Sequence, residues 1–234
     1  TSDGRVLPEV KSAIDEYIAN GGIFAVCTGR MLCCILPRVR ELGLKGIVVA
    51  YQGTVIADIE SGKLLKNGGL NYNDASEICE YLEELGQPVN VYCGDTMYTT
   101  ISKDNVYLQR YESIVGIDAV SISGKISEFV RESKLRYQKV SVLIHKNERN
   151  GLYFKLVKKF ADRFDITCSA KELVEVSPLT DNKGEALSFL ANYYNVPMDK
   201  TIAVGDNLND LSMIKAAGLG VAVKNAEQEL KEVA

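Results

Sequence analysis

The stretch TIAVGDNLND, residues 201–210, decides the fold. It starts as a short apolar run ending on Gly205, the pattern of a strand buried on both faces in a parallel sheet. Asp206 follows at the strand's end, and Asn209-Asp210 open a helical pattern, NDLSMIKAAG, before a second apolar run, LGVAV at 219–223. In an open α/β sheet, ligands collect beyond the carboxyl ends of the strands. Asp206 and Asp210, one helical turn apart, converge on such a place. Two hard carboxylates there suit Mg²⁺, which takes oxygen ligands and keeps several waters. Taken alone, the same residues would also serve as a turn and a helix cap.

Working outward, two more segments carry the same signature. IFAVCTGR at 23–30 is a buried strand ending in Thr28-Gly29-Arg30. Thr28 offers a hydroxyl, and Gly29 lets backbone approach a ligand. The helix that follows adds free amides and a partial positive charge, a ready phosphate site. Arg30 suits an anionic or polyhydroxyl group. In SPLTDNKGEAL, Lys183-Gly184 stands at a predicted helix start, where a lysine opposes the helix dipole and so points to another role.

Around these runs the chain alternates β, α and β. A helix is expected over 8–20, with Pro8 at its first position, Val10, Ile14, Tyr17 and Ile18 on one face, and Gly21-Gly22 ending it. A second helix spans 31–42 despite Pro37, and GIVVA at 46–50 is a second buried strand. TVIAD and KLLK flank ESG as a hairpin over 54–66, and Asn67-Gly68-Gly69 reads as a linker. Beyond it the runs PVNVYC, TMYTTIS, KVSVLIH and FDITCS alternate like one-sided antiparallel strands. The expected fold is α/β: a doubly wound parallel-sheet core over 1–68 and 172–234, with an α+β cap inserted at 69–171.

Composition sets limits. The chain has 234 residues, net charge −4, 46% hydrophobic and 25% charged residues, enough for a sizeable core. A mildly acidic chain gives no global attraction for nucleic acid or an anionic membrane. No apolar run reaches the ~18 residues of a membrane span. Six cysteines without a C-x-x-C pair, and one histidine, leave few zinc ligands and point to reduced thiols in the cytoplasm.

The TGR turn, Lys183-Gly184 and GDNLNDLSMIKAAGLGVAVKNA, with an opening Ser2-Asp3-Gly4 before the first helix, resemble in order and spacing the motifs of the haloacid dehalogenase superfamily. The nearest resemblance is to its Cof-type sugar-phosphate phosphatases, class II with a B-type cap. The resemblance implies a phosphatase in which an aspartate attacks phosphorus to give an aspartyl-phosphate that water then cleaves, with a second aspartate as acid and base and Mg²⁺ as cofactor. By position, Thr28 would bind the phosphoryl group and Lys183 would shield charge, and these two are the expected catalytic residues of this chain. Thr28, Gly29, Arg30 and Asn209 would bind substrate. Asp206 would ligate Mg²⁺ directly, and Asp210 would hold a metal-bound water or orient Lys183. The expected partner is a small phosphorylated metabolite, a sugar phosphate above all, for a monomer or homodimer.

The sequence departs from the family's pattern in places. Family members open with a strand ending D-x-D-G-T, whereas this chain starts at Thr1-Ser2-Asp3-Gly4. Asp3 follows no apolar strand and has no aspartate two residues later, so it reads as a loop residue. The nucleophile is expected on a strand upstream of Thr1, central to the sheet. Without it the sheet would hold an open slot, and the chain alone would be inactive. The C-terminal end also reads as short of the family's usual length. Gln52 stands where the family commonly has asparagine, and Cys27, where alanine is common, reads as a small buried filler. Tyr72, Tyr92, Tyr98, Tyr107 and Tyr111 are aromatic candidates in the cap, with packing the commoner use. His145 reads as structural, and the basic residues around 125–139 as a solvated face. Two other readings stand beside the phosphatase: a phosphomutase of the same superfamily, separable by isomer conversion, and an inactive phosphate-ligand binding module, excluded if D-x-D-G-T lies upstream.

Overall fold

The computed structural model describes residues 6–234, apart from the Ser169 side chain. Asp3 and its neighbours lie outside the described residues. Along the chain the elements are α1 (Pro8–Ala19), β1 (Val26–Cys27), α2 (Leu32–Glu41), β2 (Ile47–Ala50), β3 (Val55–Asp58), β4 (Leu64–Asn67), α3 (Tyr72–Glu84), β5 (Val89–Cys93) and β6 (Thr96–Thr99). Then come α4 (Val106–Val115), β7 (Val120–Ser121), α5 (Ile126–Ser133), β8 (Lys139–Leu143), α6 (Lys146–Phe160), β9 (Phe164–Ala170) and β10 (Leu173–Pro178). The chain closes with α7 (Lys183–Tyr193), β11 (Ile202–Gly205), α8 (Leu211–Ala216), β12 (Leu219–Ala222) and α9 (Gln228–Lys231).

Two sheets build the core. One has the order β1-β2-β3-β4, with β1 and β2 parallel and the expected hairpin β3–β4 extending it antiparallel. The other is the parallel pair β11-β12. An apolar groove of about 690 Å³ runs between them. Residues 23–27 form one wall, Thr201–Val204 the other, and Leu187, Leu190 and Ala191 of α7 the floor. Among the described residues, β1 and β11 each pair on one edge only. One edge of each of these strands lies along the groove. The single pairing accounts for the shortness of β1, two residues where five were expected, because a strand with a single neighbour has half the ladder to hold it.

The cap is a six-stranded sheet, β7-β6-β5-β8-β10-β9, antiparallel except for β6–β7. Strand β10 runs in this sheet, so the antiparallel unit reaches Pro178, beyond residue 171. Strand alternation gives the cap two different faces. Val89, Val91, Val140, Val142, Val174 and Val176 pack with α3, α5 and α6 in one apolar cluster. The opposite face, with Tyr92, Met97, Leu143 and Leu173, packs on Met31, Tyr51 and Val55 of the core. Gln138 staples the linker between the two units, donating to Asn67 Oδ1 at 3.2 Å and accepting from Gly94 N at 2.7 Å.

Asn71 caps α3, accepting from Asn73 N and Asp74 N. The expected apolar stripe of α1 stays largely outside: Val10, Tyr17 and Ile18 are exposed, and Val10 and Tyr17 line an apolar furrow with Phe24. No helix among the described residues is long and apolar enough to cross a membrane.

Candidate active site

The site grows from three strand ends. Strand β1 runs into Thr28-Gly29-Arg30, and the turn is knitted by Arg30 N donating to Thr28 Oγ1 at 3.2 Å. Backbone bonds then lock it to the segment after β2: Gln52 N donates to Thr28 O at 3.0 Å, and Tyr51 N to Arg30 O at 2.9 Å. Tyr51, Gln52 and Gly53 reach this position with φ of 50°, 61° and 113°. Two successive non-glycine residues in the left-handed region cost energy that surrounding contacts must offset, a pattern concentrated at functional sites.

Strand β11 delivers Asp206, exposed at its end. The turn to α8 is a capping box built by Asn207 and Asp210. Asp210 Oδ2 accepts from Asp206 N at 2.9 Å and from Asn207 N at 3.1 Å. Its other oxygen, Oδ1, accepts from Lys183 Nζ at 2.5 Å, with both side chains buried. Gly205 is required for this turn, since a Cβ there would lie 2.5 Å from Asp210 Cβ. Lys183 is held at the start of α7, where Asn182 caps the helix by accepting from Gly184 N and Glu185 N at 3.0 Å each.

The structure therefore brings Lys183 and Asp210 together, with Asp206 one turn away. Asn209 joins the TGR side: its Nδ2 donates to Gln52 Oε1 at 3.0 Å. Arg30 points its guanidinium to the cap, donating to Ile114 O at 3.1 Å. Desolvation pushes the thiol of Cys27, just before Thr28, up to about 11, with Lys183 pulling the other way. His145 is exposed and caps α6, accepting from Asn147 N at 3.3 Å. Of the cap tyrosines, Tyr92 is buried and bonds Tyr111 OH at 3.1 Å, while Tyr107 is exposed.

Sequence reading missed two residues that reach this site. Lys139, in the stretch read as a solvated basic face, is 3% exposed and ion-paired to Glu175, 2% exposed. Lys139 Nζ also donates to Gly29 O at 3.3 Å, and Gln52 Nε2 donates to Glu175 Oε2 at 3.4 Å. Their one signal is a charged residue in a valine-rich strand, in KVSVL and LVEVSP.

The donor set fits Mg²⁺. The Asp206 carboxylate is exposed at the strand end and, among the described residues, is engaged by no ion pair. Both Asp210 oxygens already have partners, so Asp206 is the oxygen donor open to a cation. One or two carboxylates plus waters and substrate phosphate is how Mg²⁺ is commonly held. Among the described residues no cluster of three or more His, Cys, Asp or Glu forms a closed metal cage.

A family profile described as haloacid dehalogenase-like hydrolase matches residues 1–234. The chain belongs to that family. Phosphatase YwpJ of Bacillus subtilis is 29% identical over 253 residues, covering 100% of this chain and 88% of that protein. The HMP-PP phosphatase of Serratia proteamaculans is 28% identical, covering 100% and 82%. The solved haloacid dehalogenase-like hydrolase from B. subtilis superposes with a TM-score of 0.86 at 27% identity, covering 100% of this chain and 88% of that one. The α/β core with its inserted cap is thus the family's fold, and the chain is a hydrolase of its phosphatase branch.

Proposed function

We propose that the protein is a cytoplasmic Mg²⁺-dependent phosphohydrolase that releases phosphate from small phosphorylated metabolites, sugar phosphates in particular, through an aspartyl-phosphate. The observation that carries this reading is the buried Lys183–Asp210 pair set between the TGR turn and the exposed carboxylate of Asp206.

Each residue then has a task. The Thr28 hydroxyl and the amides of the TGR turn bind the phosphoryl oxygens, and Asn209 stands beside them. Asp210 takes one of the three N–H donors of Lys183 and so aims the ammonium at the developing negative charge. Its second oxygen, holding the amides of 206 and 207, fixes where the Asp206 carboxylate points. Asp206 would hold Mg²⁺, which supplies neutralisation of phosphoryl charge when bound. Arg30, already reaching the cap, closes the pocket. Six free thiols fit a reducing compartment.

The test is phosphate release by the full-length protein from a panel of phosphomonoesters, with Mg²⁺ and with excess chelator. Metal-dependent release, greatest with sugar phosphates, is expected. Equal rates with chelator, or release from none of the esters, would refute it.

A further inference from the structure

We propose that Gln52, Lys139 and Glu175 form the subsite that reads the hydroxyls of the group esterified to phosphate. This rests on the phosphohydrolase reading and adds which side chains discriminate among esters. Lys139 and Glu175 are an ion pair on the cap-sheet face that turns to the core, while their strand neighbours Val140, Val142, Val174 and Val176 face the cap's own helices. The pair touches both phosphoryl-binding segments at once: Lys139 through Gly29 O in the TGR turn, and Glu175 through Gln52, which Asn209 holds from the other side.

Stability does not account for such a pair. Burying two charges returns less than it costs unless the geometry is excellent, and apolar residues of similar volume often do as well. The two contacts from the pair to the core are also the long ones, 3.3 and 3.4 Å, and exchange most readily for a ligand's groups. Four buried side-chain polar atoms lack partners among the described residues: Thr54 Oγ1, Thr167 Oγ1, the donor Asn90 Nδ2 and the acceptor Asn209 Oδ1. Asn90 shares a row with Ser141 and Glu175 across the sheet. The unpartnered acceptor Asn209 Oδ1 lies on the side chain that holds Gln52, and Gln52 in turn reaches the carboxylate of the pair, so a ligand group that both donates and accepts suits this chain of contacts, and a hydroxyl does so. The pair is neutral overall, so it favours an uncharged polyhydroxyl group over one with its own charge. Gln52 completes the subsite because its side chain reaches Glu175 and Asn209 together. Asparagine is one methylene shorter.

The experiment compares kcat/KM for a hexose 6-phosphate and for 4-nitrophenyl phosphate, with saturating Mg²⁺, in the full-length protein and two variants, Gln52→Asn and the neutral double variant Lys139→Gln/Glu175→Gln. The preference for the sugar ester is expected to fall roughly 10-fold to 100-fold in both, because sites built to bond hydroxyls reject analogues lacking them. Equal losses on the two esters, or an unchanged preference, would overturn the proposal. If circular dichroism shows the double variant unfolded, Gln52→Asn alone decides. A wild-type protein that hydrolyses neither ester would instead sink the phosphohydrolase reading, and this proposal with it.

Discussion

Lys183 Nζ lies 2.5 Å from Asp210 Oδ1, with both side chains 6% exposed. The two partners are not symmetric, because Asp210 also accepts from two backbone amides, whereas among the described residues the Lys183 ammonium bonds Asp210 alone. Asp210→Ala leaves a buried ammonium unpaired and releases the 206–207 turn, and should cost about 3–5 kcal/mol. Lys183→Met leaves a carboxylate still held by amides and should cost less. Urea denaturation of the two single variants and the double checks this. Additive losses would mean the pair is not coupled.

Asp206 is the counterpart case. Its carboxylate is exposed and, among the described residues, is in no ion pair. Asp206→Asn should therefore shift stability by no more than about 0.5 kcal/mol, while turnover in the full-length protein falls by orders of magnitude. Loss of stability comparable to that of Asp210→Ala would show that the residue is structural.

These two aspartates also show how far the sequence is readable. An apolar run into Gly205-Asp206 with a helix behind it is a local pattern, so strand end, turn and helix all follow from it. TGR and the hairpin over 54–66 are local in the same sense. Lys139 and Glu175 meet across 36 positions of chain, and Gln52 meets Glu175 across 123. No periodicity announces such pairs. The second boundary of the cap was obscured for a related reason. Strand β10 turns Glu175 and Ser177 toward the core and buries both, so its polar positions are not its solvent positions. Alternation identifies two faces but does not say which is wet.

Gln52 offers a separate test of the backbone. With φ of 61° it occupies a region that asparagine tolerates better than glutamine. Gln52→Asn should stabilise the fold by roughly 0.5–1 kcal/mol, set against the loss of its bonds to Glu175 and Asn209. Thermal denaturation that shows a lowered midpoint would mean those bonds outweigh the strain.

Asp165 on β9 carries the clearest pH signal. Burial, reinforced by the nearby charge of Glu175, raises its carboxyl to about 6. In the unfolded chain the group titrates near 3.9. Below about pH 4 it is neutral in both states and contributes no pH dependence. Between about 4 and 6 the unfolded state has lost the proton and the folded state still holds it, so stability falls as pH rises. Above about 6 both states are ionised and the cost, on the order of 2–3 kcal/mol, is constant. Asp165→Asn cannot ionise, so its advantage over the wild type should be small at pH 4, grow to pH 6 and then level off. Stability measured by urea denaturation at a series of pH values, taken as the difference between variant and wild type, isolates this group from every other titration. A difference that stays flat across the window would mean that Asp165 is ionised in the folded protein throughout, and that the cap face it lies on is wetter than its burial indicates.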